Sequence, residues 1–411
     1  MLSPIRACAP AAIKALAAAT AVAAVFTLAA CGSDKSAPQP ISLHAKAGPA
    51  GTTFWDVQDK PAPDAKPGDI YWIQPRTDAP ADTQGWNVVY VSEIQPGVKK
   101  FVSGEIYAPT AHSDQPRDMV LWNHETTGLA DACAPSRRSL SDGEHSRVPA
   151  IEAMLKAGHV VAMSDYPGQG LPGPSYYMVG AVNARASLDM LRAVHNLPEL
   201  NASNRFVEYG WSQGGQTTMR VESLARSYAP EFQGVGAALI APAVRIRDLT
   251  LHSMSGPDNA GYVISTLPGI KAAYPDLLYR DFLKPDAMEM LPVLANGCFD
   301  IWDAAAPLRD AYQPNALSPG STWWNAMSAV DDWQPAGTMP FAVYQGVDDT
   351  VVPKDLTQRE RTALCHSGVA VDYNEFTGQD HETVVPSAAD RFPAWAADRF
   401  AGKPAPTNCP A

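Results

Sequence analysis

The run Gly210-Trp211-Ser212-Gln213-Gly214 sets a serine between glycines at G-x-S-x-G spacing. Where such a serine sits on a tight strand-to-helix turn, its hydroxyl is pushed out to attack a carbonyl carbon. The helix N-terminus beneath it favours the negative charge that develops. The local pattern supplies that setting: Arg205–Tyr209 reads as a strand and Gly214–Arg226 as a helix. A serine hydroxyl is a poor nucleophile and needs a base, commonly a histidine oriented by a carboxylate. The partners of a serine in this setting follow it in the order acid, then histidine. Of the nine histidines, only His366 and His381 come after the last candidate acids.

Topology separates those two. His366 lies between a helix, Leu356–Cys365, and a strand starting near Val369, so it enters the sheet at the edge away from Ser212. His381 follows that strand and falls at the same edge as Ser212. His381 is therefore the expected base. The acid should leave the preceding strand, Pro340–Gln345, at that edge, where Asp348 and Asp349 both stand. The carbonyl oxygen that becomes charged needs two backbone N–H donors. Gln213, after the nucleophile, supplies one. The loop after the strand Met119–Asn123 supplies the other, assigned to Thr126. A second glycine pattern, Gly168-Gln169-Gly170-Leu171-Pro172-Gly173, matches a dinucleotide fingerprint. Pro172 and Pro174 oppose the helix that such a site requires, so no cofactor is expected. It reads as a loop at the active edge of the sheet, where Asp165 and Tyr166 either serve a structural role, the favoured reading, or hydrogen-bond within the site.

These residues need elements to hold them. Four β-rich segments come first: Ile70–Ile73, Trp86–Glu93, Lys100–Tyr107 and Met119–Asn123. From Pro149 onward helix and strand patterns alternate, which argues for a mostly parallel sheet with helices on both faces. The alternation stops near Val244 and resumes at Pro340. The Pro-, Leu- and Trp-rich stretch between reads as an inserted helical cap. Expected boundaries are 69–245 for the first part of the core, 246–336 for the cap and 337–411 for the second part. Apolar residues make up 46% of the 411 residues, enough for a large core; the net charge of −12 argues against nucleic acid as a partner. No metal-binding spacing is present, and a monomer is expected.

Residues 1–30 carry Arg6 and Lys14 ahead of an apolar run from Ala15 to Ala30, the pattern of an export signal. It ends in Leu28-Ala29-Ala30-Cys31, which resembles the lipobox of bacterial lipoproteins. The resemblance implies lipidation at Cys31 and a membrane anchor, with Gly32 suggesting the outer membrane; the alternative is an ordinary secreted protein. Residues 31–68, rich in Pro and Ala, read as a tether. Export agrees with four further cysteines, for which two disulfides are expected: Cys133–Cys298 and Cys365–Cys409.

Taken together, the motifs resemble the secretory lipase family. His124-x-Thr126-Thr127-Gly128 followed by Cys133-Ala134-Pro135-Ser136 is the most specific match. Asp165-Tyr166-x-Gly168-x-Gly170, the Gly210–Gly215 elbow, Gly346-x-x-Asp349-x-x-Val352-Pro353 and Gly378-x-x-His381 extend it along the chain. The resemblance implies an α/β-hydrolase fold acting on carboxylic esters, often acylglycerols, through a Ser–Asp–His triad without a cofactor. It also favours Asp349 over Asp348. This sequence departs from many bacterial members at Glu125, where they have Gly. An acyltransferase or peptidase would use the same triad, and a lipid-anchored binding protein could keep the fold without the activity.

Overall fold

The computed structural model describes residues 41, 54–57, 60–140, 147–256, 259–337 and 339–410. The expected signal peptide and Cys31 lie outside the described residues. So does most of the tether, but its end is not free chain. Phe54 and Val57 are buried in a cluster with Val89 and Leu171, and the Arg137 guanidinium lies 4.8 Å over the Trp55 ring. Apolar side chains within the Pro/Ala-rich run therefore tie residues from Phe54 onward to the folded domain.

Nine strands form one sheet: β1 (Ile70–Pro75), β2 (Thr83–Gln95), β3 (Val98–Pro109), β4 (Arg117–Asn123), β5 (Val160–Ser164), β6 (Ala202–Trp211), β7 (Gln233–Ile240), β8 (Phe341–Gly346) and β9 (Val371–Phe376). Their spatial order is β1-β2-β3-β5-β4-β6-β7-β8-β9. The β1–β2, β2–β3 and β3–β5 pairs are antiparallel, and the five remaining pairs, from β5–β4 to β8–β9, are parallel. β2 and β3 run longer than the sequence suggests. Gly97, at φ +76°, lets them close as a hairpin near Gln95 and Val98.

The helices of the core are α1 (Arg147–Lys156), α2 (Gly180–His195) and α3 (Gln213–Tyr228); α9 (Lys354–His366) and α10 (Val384–Phe400) follow the insertion. Side chains alternate across each strand, so neighbours in sequence serve opposite faces. Phe206 packs with Leu188, Leu191 and Val221 of α2 and α3. Val207 packs on the other face with Ile151 of α1 and Phe392 of α10. Burial on both faces explains why β5 is apolar almost throughout and fully buried.

Between β7 and β8 the chain builds helices: α4 (Ile246–Ser255), α5 (Ala260–Ala273), α6 (Pro285–Met288), α7 (Met290–Ala295) and α8 (Thr322–Asp331), with a 3₁₀ turn at Phe299–Ala305. Their core includes Leu267, Phe282, Trp302 and Trp323 and is continuous with Met219, Leu239 and Val343 of the hydrolase layer. The insertion is thus packed onto the sheet by shared apolar burial. Both disulfides form with the expected pairing, Cys133–Cys298 and Cys365–Cys409.

Candidate active site

Ser212 stands between β6 and α3 at φ 53° and ψ −117°, a conformation that costs about 1–3 kcal/mol for a residue with a side chain. The glycines around it are required by close approach. A Cβ at Gly210 would meet the Gly214 carbonyl oxygen at 2.3 Å, and one at Gly214 would meet the Asn123 oxygen at 2.0 Å. The turn is held from both sides. The Ser212 N–H donates to the Ile240 carbonyl at 2.9 Å, and the Ser212 carbonyl accepts from Gly215 and Ala243 N–H, each at 2.9 Å.

The hydroxyl of Ser212 lies 3.0 Å from His381 Nε2, and His381 Nδ1 lies 2.8 Å from Asp349 Oδ2. All three residues are buried. Asp349 is fixed independently of the histidine. Its Oδ1 accepts the N–H of Val351 at 2.9 Å and of Val352 at 2.8 Å, and Gln345 Nε2 donates to its Oδ2 at 3.2 Å. Gln345 is itself buried and accepts from the Thr357 hydroxyl at 2.8 Å. Asp348, the neighbouring candidate, is exposed and offers its backbone N–H to the Gln379 carbonyl at 2.9 Å.

The loop carrying His381 is braced at each side. Trp211 Nε1 donates to the His381 carbonyl at 3.1 Å. Asp380 accepts from the Thr383 hydroxyl at 2.6 Å and from the Glu382 and Thr383 N–H groups. These bonds, that from the Thr383 side chain foremost, hold its carboxyl below the usual range. His366 sits exposed at the C-terminus of α9, as its place in the sequence suggests.

The loop after β4 approaches the elbow where Gly214 leaves room. Asn123, its root, is tied three ways. Its amide donates to Glu208 at 3.0 Å and to Thr218 at 2.8 Å, and its oxygen accepts from the Ser187 hydroxyl at 2.8 Å. Burial lifts the Glu208 carboxyl well above its usual range. Further along, the Thr126 hydroxyl is 2.9 Å from the Tyr177 hydroxyl, and Gln169 Nε2 donates to Thr127 Oγ1 at 2.6 Å. The insertion grips the same loop. Phe299 N–H donates to the Thr127 carbonyl at 3.0 Å and Leu129 N–H to the Gly297 carbonyl at 3.2 Å, beside the Cys133–Cys298 bridge. Gln213 opens α3, so its N–H is one of those a helix leaves without an intrahelical acceptor.

The glycine-rich segment after β5 holds no helix at its start. Gly168 and Gly170 have φ +75° and +83°. A Cβ at Gly170 would meet Ser103 Oγ at 2.3 Å. Behind this loop Asp165 accepts from the Ser103 hydroxyl at 2.6 Å and from the Ser136 hydroxyl and N–H, and burial pushes it up to about 6. Its role is structural. The Tyr166 hydroxyl donates to the His124 carbonyl at 3.1 Å, supporting the loop after β4. Of the supporting residues, Trp211 lies in the elbow motif and Tyr166 in the Asp165-Tyr166-x-Gly168 pattern, whereas Gln345 and Tyr177 carry no local signal.

A narrow pocket with a cavity volume of about 30 Å³ opens beside Ser212; it is lined by Tyr177, Met178, Val351 and Val352 and by residues of α4 and α5.

The family model for secretory lipases matches residues 146–302 and 327–408. Lipase 6 of Candida albicans is 26% identical over 384 residues, covering 84% of this chain and 80% of that protein. A secreted triacylglycerol lipase of Malassezia globosa is 26% identical over 319 residues, covering 72% of this chain and 69% of the relative. The structure of Candida antarctica lipase A in its closed state superposes with a TM-score of 0.70 at 18% identity, over 90% of this chain and 91% of that one. The chain therefore belongs to the secretory lipase family and is a carboxylic ester hydrolase of the α/β-hydrolase fold.

Proposed function

We propose that the chain is an exported lipase or esterase that cleaves acyl esters through an acyl-enzyme on Ser212. The observation that carries this reading is the continuous contact from Ser212 through His381 to Asp349, at 3.0 and 2.8 Å. Ser212 Oγ attacks the ester carbonyl carbon while His381 Nε2 takes its proton. Asp349 keeps the imidazole oriented and stabilises its protonated form. The oxyanion is received by the N–H groups of Thr126 and Gln213. Collapse breaks the bond to the alcohol, which leaves with the proton from His381. Water then attacks the acyl-enzyme with His381 again as base, releasing the acid and restoring Ser212. No cofactor enters these steps.

Residues 246–336 act in this reading as a cap, with the acyl chain lying in the cleft between α4 and α5 and Ser212. Acylglycerols are the natural candidates, in line with the names of the relatives. Export begins with residues 1–30, and lipidation at Cys31 anchors a monomer to the membrane at the head of the 31–68 tether. Mass spectrometry of the mature N-terminus tests this: acylated Cys31 supports it, and a free residue further along rejects the anchor. The activity is tested with nitrophenyl esters of two to sixteen carbons, wild type beside Ser212→Ala. Turnover that survives in the variant overturns the assignment.

A further inference from the structure

The two helices over the cleft present the same spacing to it. Leu249, Thr250 and Ser253 of α4 face Tyr262, Val263 and Thr266 of α5 across the space above Ser212. In each helix the three positions are i, i+1 and i+4, so they share one side. Each trio ends in a hydroxyl, yet the hydroxyls differ. Thr250 Oγ1 donates to the Ile246 carbonyl at 2.7 Å, and Thr266 Oγ1 donates to the Tyr262 carbonyl at 2.8 Å. Both donors are thus spent inside their own helices. Ser253 is 6% exposed, and its hydroxyl has no hydrogen-bond partner among the described residues. Its bonding capacity is left to whatever fills the cleft.

We propose that Ser253 is a specificity-determining residue that turns the cleft away from long unbroken alkyl chains. It favours acyl groups that are short or that carry a hydroxyl along the chain. This rests on the proposed reading that the acyl group occupies the cleft. A short acyl group leaves water on the Ser253 hydroxyl, which costs little. A long alkyl chain removes that water and offers no bond in return, stranding a buried polar group. A chain bearing its own hydroxyl can replace the water, so the loss is recovered.

The test compares kcat/KM for nitrophenyl acetate, octadecanoate and a mid-chain monohydroxylated octadecanoate, in wild type, Ser253→Ala and Leu249→Ala. In Ser253→Ala the octadecanoate-to-acetate ratio should rise about ten-fold, and the wild-type preference for the hydroxylated chain should disappear. Leu249→Ala widens the same side of the cleft without removing a hydroxyl and should keep that preference. An unchanged ratio in Ser253→Ala overturns the proposal. Loss of the preference in Leu249→Ala to the same degree also overturns it, since cleft size would then set selectivity. Failure of the underlying reading looks different: Ser212→Ala would retain turnover on all three esters.

Discussion

The sheet and the helical insertion hold the two halves of the site by different means. On the sheet, Ser212, Asp349 and His381 each leave the C-terminal end of a parallel strand, and each is held by hydrogen bonds: Ser212 by the Ile240, Gly215 and Ala243 backbone, Asp349 by the Val351 and Val352 N–H groups, and the His381 carbonyl by the Trp211 indole. On the insertion, α4 and α5 offer side chains whose relevance comes only from facing each other over the cleft. The first arrangement fixes the reacting atoms, with Val351 and Val352 beside Asp349 also reaching the cleft. The second supplies the opposite wall of the cleft, while other parts of the insertion hold the loop of Thr126. Changes on the sheet should therefore lower turnover for every ester alike, and changes on α4 or α5 should reorder esters.

The comparison breaks most visibly at the triad. Ser212→Ala or His381→Ala should lower kcat on the order of 10⁶-fold with the fold intact, and to the same extent for short and long esters. Asp349→Ala should cost less, about 10⁴-fold, because the histidine and nucleophile remain. Steady-state kinetics on two acyl lengths measures both; a loss confined to one length would mean that these residues also select the acyl group.

The two disulfides sharpen the comparison, because only one joins the regions. Cys133–Cys298 spans 165 residues and pins the insertion to the loop of Thr126; Cys365–Cys409 spans 44 and lies within the second part of the core. By loop closure their removal should cost about 5 and about 4 kcal/mol of stability respectively, read by denaturant unfolding. Only the Cys133→Ala/Cys298→Ala protein should also lose kcat, roughly ten-fold, if a displaced loop misplaces Thr126, the proposed oxyanion donor. Equal kcat in the two double variants would show that the bridge to the insertion does nothing for the donor loop.

The smallest effects are expected at the near-neighbours of the triad. Asp348→Asn and His366→Ala should leave kcat within about two-fold, the range of surface substitutions. These pairs also show what the sequence could say. The choice of His381 over His366 followed from chain order and strand direction, which are legible along the chain. Asp348 and Asp349 are adjacent and chemically identical. What separates them is the turn that points Asp349 at the Val351 and Val352 N–H groups and leaves Asp348 exposed; in the sequence, the preference for Asp349 rests on the family pattern alone.

The strand–helix alternation, the elbow and the insertion's helical character were readable because each is written in local spacing. Tyr177 beside Thr126 and buried Glu208 beneath Asn123 were not, because they meet their partners across long chain separations; Gln345 lies only four residues before Asp349, but the turn that brings its amide onto that carboxylate is not written in spacing. For the same reason nothing in α4 marks Ser253 apart from Thr250. Both are small hydroxyl residues one turn apart, and only their hydrogen bonds distinguish them. The tether's inner end is legible in the sequence: Phe54, Trp55 and Val57 interrupt the Pro/Ala-rich run with the side chains that pack onto the domain.

The most direct test of the central claim is covalent. The protein is treated with an alkyl fluorophosphonate, which esterifies an activated serine, and the adduct is located by peptide mass spectrometry. A single adduct on Ser212, absent from His381→Ala under the same conditions, is the result this account predicts. An adduct on another serine, or none while ester hydrolysis continues, would contradict it.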